Sequence, residues 1–323
     1  MNERFGKKSN FPPFYQSLIL KCWKKEISIA QVLIRLKNDL LFESKPEFEE
    51  ISKMDPKNSA DFIGRGELFE KVNQTVEALE DYNKAIELNP RYSLAYFNRG
   101  FLFKKLNLHE KALEAYNKAI ELDPRYSLAY FNRGFLFQDK LNRHEAALKD
   151  YNKAIELDPN NSLAYNNRGD IFKNTLNQHQ KALEDYNKAI EVDPNNSSAY
   201  NNRGNLFFEC LNQHEKALKD YNKAVELDPK NSLAYNNRGN LYQNELNQPL
   251  EALEDYNKAI ELDPNNSLAY YNRGNLFFEC LNQPFKALED YDKAVALNPD
   301  SLLARFNRAK LYTKMKDINR WKH

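Results

Sequence analysis

Cysteine is scarce in this sequence, with 3 residues among 323, and neither sign of charge is in excess. Cys22, Cys210 and Cys280 are odd in number and spread over the whole chain. That argues against a disulfide frame and for free thiols in a reducing compartment. The 47 Lys+Arg residues stand against 46 Asp+Glu, a formal net charge of +1. Such a balance removes the basic surface that nucleic-acid binding relies on, and equally the acidic tail of a solvating segment. No run approaches the roughly 20 apolar residues of a membrane span, and the mean hydropathy is −0.80. The stretch Met1–Phe14 has no apolar core of signal-peptide kind. The expectation is a soluble chain of the cytoplasm or nucleus, with no signal peptide, no membrane association and no transmembrane segment. Glycine is also sparse at 9 and proline stands at 13, whereas asparagine reaches 42. Their placement decides the architecture.

The segment from Ser93 to Tyr126 reads SLAYFNRGFLFKKLNLHEKALEAYNKAIELDPRY, and its text returns at Ser127, Ser162, Ser197, Ser232 and Ser267. Weaker forms begin at Ser59 and Leu302, and from Ser127 onward the unit is 35 residues rather than 34. Seven glycines (Gly66, Gly100, Gly134, Gly169, Gly204, Gly239, Gly274) share one repeat position. Eight prolines, from Pro56 to Pro299, share another. A period of this length is the mark of a stacked array.

Within one unit, Leu94, Tyr96, Phe103 and Leu106 have the spacing of a first helix, and Leu113, Tyr116, Ile120 and Leu122 that of a second. Pro124 lacks a donor and stops the second helix. A mid-helix glycine costs about 1 kcal/mol against alanine. Its recurrence at Gly100, facing Ala112, predicts close approach of the two helix backbones. Tyr116 and Ala119 are expected to contact the following unit. A pair this short cannot bury its apolar face alone, so the units must stack into a solenoid.

The series Tyr96, Gly100, Phe103, Ala112, Tyr116, Ala119 and Pro124 resembles the tetratricopeptide repeat, and the likeness runs from Ser59 to the C-terminus. It implies an all-α fold, a right-handed α-solenoid of stacked antiparallel helix pairs. The expected organisation is an N-terminal helical cap over 1–58, then seven units at 59–92, 93–126, 127–161, 162–196, 197–231, 232–266 and 267–301. A partial repeat or capping helix at 302–323 closes the array. One added residue is about 100° of helix rotation, so the 35-residue unit must lengthen its turn or distort a helix end. A helical hairpin of 35 residues also raises the pentatricopeptide reading, a single-stranded RNA binder. The Glu156-Leu157-Asp158-Pro159 style of ending and the near-zero charge speak against nucleic acid as partner.

Two readings stand for the N-terminal part. Phe48, Ile51 and Pro56 are in register with the second half of a degenerate unit, and Ile27, Val32, Leu33 and Leu36 would precede them as a helix. Alternatively, Tyr15-Gln-Ser-Leu18-Ile19-Leu-Lys-Cys22-Trp23, within 14–41, is similar to the end of a protein-kinase C-lobe. None of the kinase motifs that transfer phosphate is present.

In tetratricopeptide solenoids the residue two before the repeat glycine points into the concave groove. Here it is Asn98, Asn132, Asn167, Asn202, Asn237, Asn272 and Asn307. An amide offers an acceptor and two donors, the complement of a peptide group. The series resembles the asparagine ladder of the O-linked N-acetylglucosamine transferases, which implies grip on a partner's backbone; a general taste for asparagine is the competing account. Two flanking positions vary. One runs Phe97, Phe131, Asn166, Asn201, Asn236, Tyr271, Phe306, and the other Phe101, Phe135, Asp170, Asn205, Asn240, Asn275, Lys310. The aromatic members Phe97, Phe101, Phe131, Phe135 and Tyr271 are candidate contacts, with packing between adjacent first helices as the alternative. The Hsp70/Hsp90-type carboxylate clamp of some family members needs Lys and Arg where this chain has Leu94, Leu128 and Leu163, so none is expected.

Arg65 through Arg308 precede the glycine position, and acids such as Asp150 and Asp185 precede the second-helix tyrosine; intra-repeat pairing is expected. His109, His144, His179 and His214 recur near the turn as helix-start surface residues without zinc-ligand spacing. No cofactor, metal site or catalytic residue is expected. The sequence thus points to a non-enzymatic scaffold for an extended or helical segment of a protein or peptide partner. The alternative is the regulatory or targeting region of a kinase-related or glycosyltransferase-like enzyme that lacks its catalytic domain.

Overall fold

The computed structural model describes residues 46–320, and every regular element among them is an α-helix. The kinase-like stretch Tyr15–Trp23 and the helix expected around Ile27–Leu36 lie outside the described residues. A short α1 (Pro46–Ser52) precedes α2 (Ser59–Lys71), α3 (Thr75–Leu88), α4 (Ser93–Lys105), α5 (His109–Leu122), α6 (Ser127–Asp139) and α7 (His144–Leu157). After them come α8 (Ser162–Asn174), α9 (His179–Val192), α10 (Ser197–Glu209), α11 (His214–Leu227), α12 (Ser232–Asn244), α13 (Pro249–Leu262), α14 (Ser267–Glu279), α15 (Pro284–Leu297) and α16 (Leu302–Arg320). From α2 on, each even-numbered helix is the first of a repeat and each odd-numbered helix the second. The chain forms two compact blocks, divided after Leu157.

Each block is a stack of antiparallel pairs. In the first, Phe48 and Ile51 of α1 pack with Ile63, Phe69, Leu79, Tyr82 and Leu102. Tyr116 of α5 meets Leu136 of the next first helix. In the second block Tyr186 meets Leu206, Tyr221 meets Leu241, and Tyr256 meets Leu276. The second-helix tyrosine therefore does reach the following repeat, as expected.

The recurrent glycine has a more specific cause than the close backbones expected from sequence. A Cβ on Gly100 would lie 2.9 Å from the Tyr116 ring, and one on Gly239 2.8 Å from Tyr256 Cε1. The tyrosine ring of the same repeat fills the space the missing Cβ leaves. These rings are fully buried, each stabilising the stack by about 2–3 kcal/mol.

The added residue of the longer repeats goes into the turn. First helices are all 13 residues and second helices all 14 up to α15, whether the repeat has 34 residues or 35. The carbonyl of one aromatic closes the turn in both types: Leu108 N donates to Phe103 O at 2.9 Å, while Gln178 N donates to Phe172 O at 2.7 Å, one residue further on. The helices and their faces therefore keep their register.

Asparagine is abundant because several positions need it for different reasons. Asn73, Asn107, Asn142, Asn177, Asn212, Asn247 and Asn282 turn the chain at φ 50–60°, in the left-handed region that asparagine tolerates best after glycine. Asn161, Asn196, Asn231 and Asn266 cap first helices by accepting from the backbone N–H three residues on.

Candidate functional site

The ladder amides lie where the first helices of neighbouring repeats meet, and most are engaged across that seam. Asn98 Nδ2 donates to Glu67 Oε1 at 3.0 Å. Asn202 Nδ2 donates to Asn166 Oδ1 at 3.2 Å and to Asp170 Oδ1 at 3.1 Å. Asn237 donates to Asn201 Oδ1 at 3.1 Å, and Asn272 to Asn236 Oδ1 at 3.0 Å. Asn307 donates to Asn275 Oδ1 at 3.0 Å and to the Tyr271 hydroxyl at 3.1 Å. Asn132 is different: it donates to its own helix at Leu128 O, 3.0 Å, and accepts from Lys104 Nζ at 3.2 Å.

The flanking asparagines complete the pattern. Asn166, Asn201 and Asn236 are buried beneath the seam, not open to a groove. Each donates to the ladder amide next to it: Asn166 to Asn167 Oδ1 and Asn201 to Asn202 Oδ1, both at 3.2 Å, and Asn236 to Asn237 Oδ1 at 3.5 Å. In the second block one directed chain of amides therefore runs Asn272, Asn236, Asn237, Asn201, Asn202, Asn166, Asn167, each donating to the next. Dipoles aligned in this way polarise one another, so the chain strengthens its own links. Sequence reading found the positions but not this bonding, because the partners are 36 residues apart.

The aromatic candidates divide in two. Phe97, Phe131 and Tyr271 are half-buried against their own second helix, with ring centroids 5.9 Å from Tyr116, 6.0 Å from Tyr151 and 6.1 Å from Tyr291. Two of them also reach the next repeat: the Phe97 ring centroid lies 4.9 Å from that of Tyr126, and the Tyr271 hydroxyl accepts from Asn307 of the following first helix. Phe101 and Phe135 are also half-buried, but here a cation joins them: Lys104 Nζ lies 4.7 Å from the Phe101 centroid and 5.0 Å from that of Phe135.

The second-helix tyrosines turn their hydroxyls to the same seam. Tyr82 donates to Glu70, Tyr151 to Gln138, Tyr186 to Asp170, Tyr221 to Asn205, Tyr256 to Asn240 and Tyr291 to Asn275, at 2.7–2.8 Å. Asp170 is a carboxylate where later repeats carry an amide. Burial pushes its carboxyl up to about 6, against the opposing pull of the Tyr186 hydrogen bond and the Lys173 charge. Lys173, itself buried, pairs with Glu209 at 2.6 Å.

The expected arginine–aspartate pairs form, and they are more buried than a surface pair. Arg65–Asp81, Arg133–Asp150, Arg168–Asp185, Arg203–Asp220, Arg238–Asp255 and Arg273–Asp290 are bidentate through Nε and Nη2, at 2.6–2.8 Å. The carboxylates keep only 4–7 % of their surface. Burial raises the carboxyls of Asp185, Asp255 and Asp290, with the arginine opposing it. Arg99 departs from the set. Ala115 stands where the aspartate would be, and Arg99 Nε is buried without a partner.

The four histidines begin second helices and are half-buried rather than surface residues. Nδ1 of His109, His144 and His179 has no hydrogen-bond partner among the described residues. Among those residues no group of three or more His, Cys, Asp or Glu is placed to hold a metal ion. No helix among them is long and apolar enough to cross a membrane.

Comparison with known proteins agrees with this geometry. Tetratricopeptide-repeat profiles match residues 66–107, 93–126, 115–149, 139–175, 174–209, 211–245, 244–279 and 268–301. Among curated proteins no match is found. A tetratricopeptide repeat protein from Parabacteroides merdae superposes with a TM-score of 0.61 at 21 % identity, over 78 % of this chain and 98 % of its own. The anaphase-promoting-complex assembly Cut9–Hcn1 gives a TM-score of 0.68 at 16 % identity, over 92 % of this chain and 59 % of that one. PilF of Pseudomonas aeruginosa gives 0.58 at 19 % identity, over 68 % and 97 %. At these identities the neighbours speak to the fold alone. The repeat profiles and the stacked helix pairs together establish a protein-interaction scaffold architecture, and the chain belongs to the tetratricopeptide repeat family.

Proposed function

We propose that this protein is a non-catalytic scaffold that holds an extended or helical segment of a protein partner on the concave face of its first helices, along the ladder amides. The observation that supports this is the seam itself. Asn237 directs one N–H to the preceding repeat, is only part-buried, and has a second N–H to offer a ligand carbonyl; Asn202 is part-buried likewise, whereas Asn98 and Asn272 are buried. The inter-repeat bond fixes the rotamer, so the remaining donor is oriented before a partner arrives. That pre-organisation lowers the entropy cost of binding. A hydrogen bond contributes about 0.5–1.5 kcal/mol net, so several repeated contacts give useful affinity without reading side chains.

The test is a pull-down with Asn202→Ala/Asn237→Ala, both part-buried, beside Asn201→Ala/Asn236→Ala. Both variants break the amide chain, but Asn201 and Asn236 are buried and beyond the reach of a ligand. Partners lost only with the first variant, at matched thermal stability, support the groove. Partner sets unchanged by both variants refute it.

A further inference from the structure

Among the seven buried second-helix tyrosines, Tyr116 is alone in having a buried hydroxyl without a hydrogen-bond partner among the described residues. The reason is local. The other repeats place an acceptor on their own first helix one or four residues after the glycine: Asn205 or Asp170 at the near position, Glu70 or Gln138 at the far one. In the repeat of Tyr116 those positions are Phe101 and Lys104. A phenyl ring cannot accept in this sense, and an ammonium has only donors.

Lys104 compounds the imbalance. Its Nζ rests on the Phe101 and Phe135 ring faces and gives one donor to Asn132 Oδ1 at 3.2 Å. Among the described residues no carboxylate is bonded to it. Asp139 acts on it through space and is itself paired with Lys140 at 3.0 Å. Lys105, also near, is paired with Glu70 at 3.2 Å. Burial and the Lys105 charge both weaken the hold of Lys104 on its proton, against the pull of Asp139. The first block thus holds an ammonium between two aromatic walls with a single acceptor and, in the same repeat, a buried hydroxyl that has none among the described residues and feels the Glu70 charge only through space.

We propose that Phe101, Lys104, Tyr116 and Phe135 form a receptor for one acidic side chain, Asp or Glu, of the partner segment. This rests on the groove reading above and adds a charge requirement to it. The carboxylate replaces the missing acceptor: one oxygen meets Lys104 Nζ, and the other reaches the Tyr116 hydroxyl as the lysine stem lifts from the rings. The methylenes of the acidic residue lie against Phe101 and Phe135. The walls suit a singly charged carboxylate on an apolar stem, because the second cation beside Phe101, Lys105, is already paired with Glu70.

The experiment uses the full chain and a phage-displayed library of random 12-residue peptides, followed by titration of synthetic versions of the selected peptides. Acidic residues should be enriched at one position on wild type, and this preference should vanish on Lys104→Met. In a selected peptide, Glu→Gln should weaken binding at least tenfold on wild type and less than twofold on Lys104→Met. Tyr116→Phe should weaken the Glu peptide and leave the Gln peptide unchanged. Amidating the peptide C-terminus should alter nothing; dependence on a free terminus would overturn the choice of a side chain. Equal Glu→Gln losses on wild type and Lys104→Met would overturn the receptor while leaving the groove intact. Binding that survives Asn202→Ala/Asn237→Ala and Lys104→Met alike, or no selected peptides at all, would overturn both.

Discussion

The Tyr186 ring stands where a side chain on Gly169 would have to be: a Cβ there would lie 2.7 Å from Tyr186 Cε1. Gly169→Ala must therefore displace a buried ring. Overpacking of this kind costs about 1–3 kcal/mol, opposed by a helix-propensity gain near 1 kcal/mol. Gly64, also within a first helix, meets nothing within 4 Å. Chemical denaturation should show Gly169→Ala less stable than wild type and Gly64→Ala more stable by about 0.5–1 kcal/mol. Equal responses at the two sites would contradict the assigned role of the ring.

Arg99 and Ala115 form the one incomplete arginine–aspartate pair of α4 and α5. Ala115→Asp supplies the missing carboxylate to a guanidinium whose Nε is already desolvated. The expected gain at pH 7 is about 1 kcal/mol. The reverse experiment, Asp185→Ala, strands Arg168 in a buried site and should cost about 3 kcal/mol. Urea midpoints of the two variants check the signs; a loss on Ala115→Asp would show that the guanidinium gains nothing from a carboxylate.

The Asp170 carboxyl is raised from 3.8 to about 6 in the fold. Its contribution to stability is therefore fully present below pH 3.8 and is lost as the pH rises through about 6. Asp170→Asn keeps an acceptor for the Tyr186 hydroxyl, as Asn205 does for Tyr221. The variant should exceed wild type by about 3 kcal/mol at pH 7.5, with the gap closing towards pH 4. Melting temperatures across that range decide it, and a gap independent of pH would mean that the carboxyl does not titrate as argued.

Tyrosine-to-phenylalanine substitutions should not be equivalent along the chain. Tyr221→Phe removes a hydrogen bond to Asn205 at 2.7 Å and should cost about 1 kcal/mol. Tyr116→Phe removes a buried hydroxyl that has no partner, so ligand-free stability should stay level or rise. A loss at Tyr116 matching that at Tyr221 would mean that its hydroxyl has a partner in solution.

Much of the fold was legible because each repeat carries its instructions locally. Gly100, Pro124 and the apolar spacing of α4 and α5 define the helix pair within one stretch of chain. The Arg133–Asp150 pairing was readable too, since its partners lie in one unit. The candidate site was legible only as positions. Asn237 announces itself by recurrence, but its bond to Asn201 depends on how two repeats dock. Phe131 offers two readings in sequence, groove contact or packing between first helices, and only the fold sets its ring 6.0 Å from that of Tyr151 in its own repeat.

By itself the sequence determined an all-helical stack of tetratricopeptide repeats, because helical periodicity and proline stops act over a few residues. Tertiary packing alone decided where the thirty-fifth residue goes, since only the turn could absorb it without rotating a buried face. It also decided which amides bond across the seam and which hydroxyl lacks a partner. The amide bonds join side chains one repeat apart, brought to 3.0–3.2 Å only when the helices stack, and the hydroxyl is stranded only when its own helix pair closes around it.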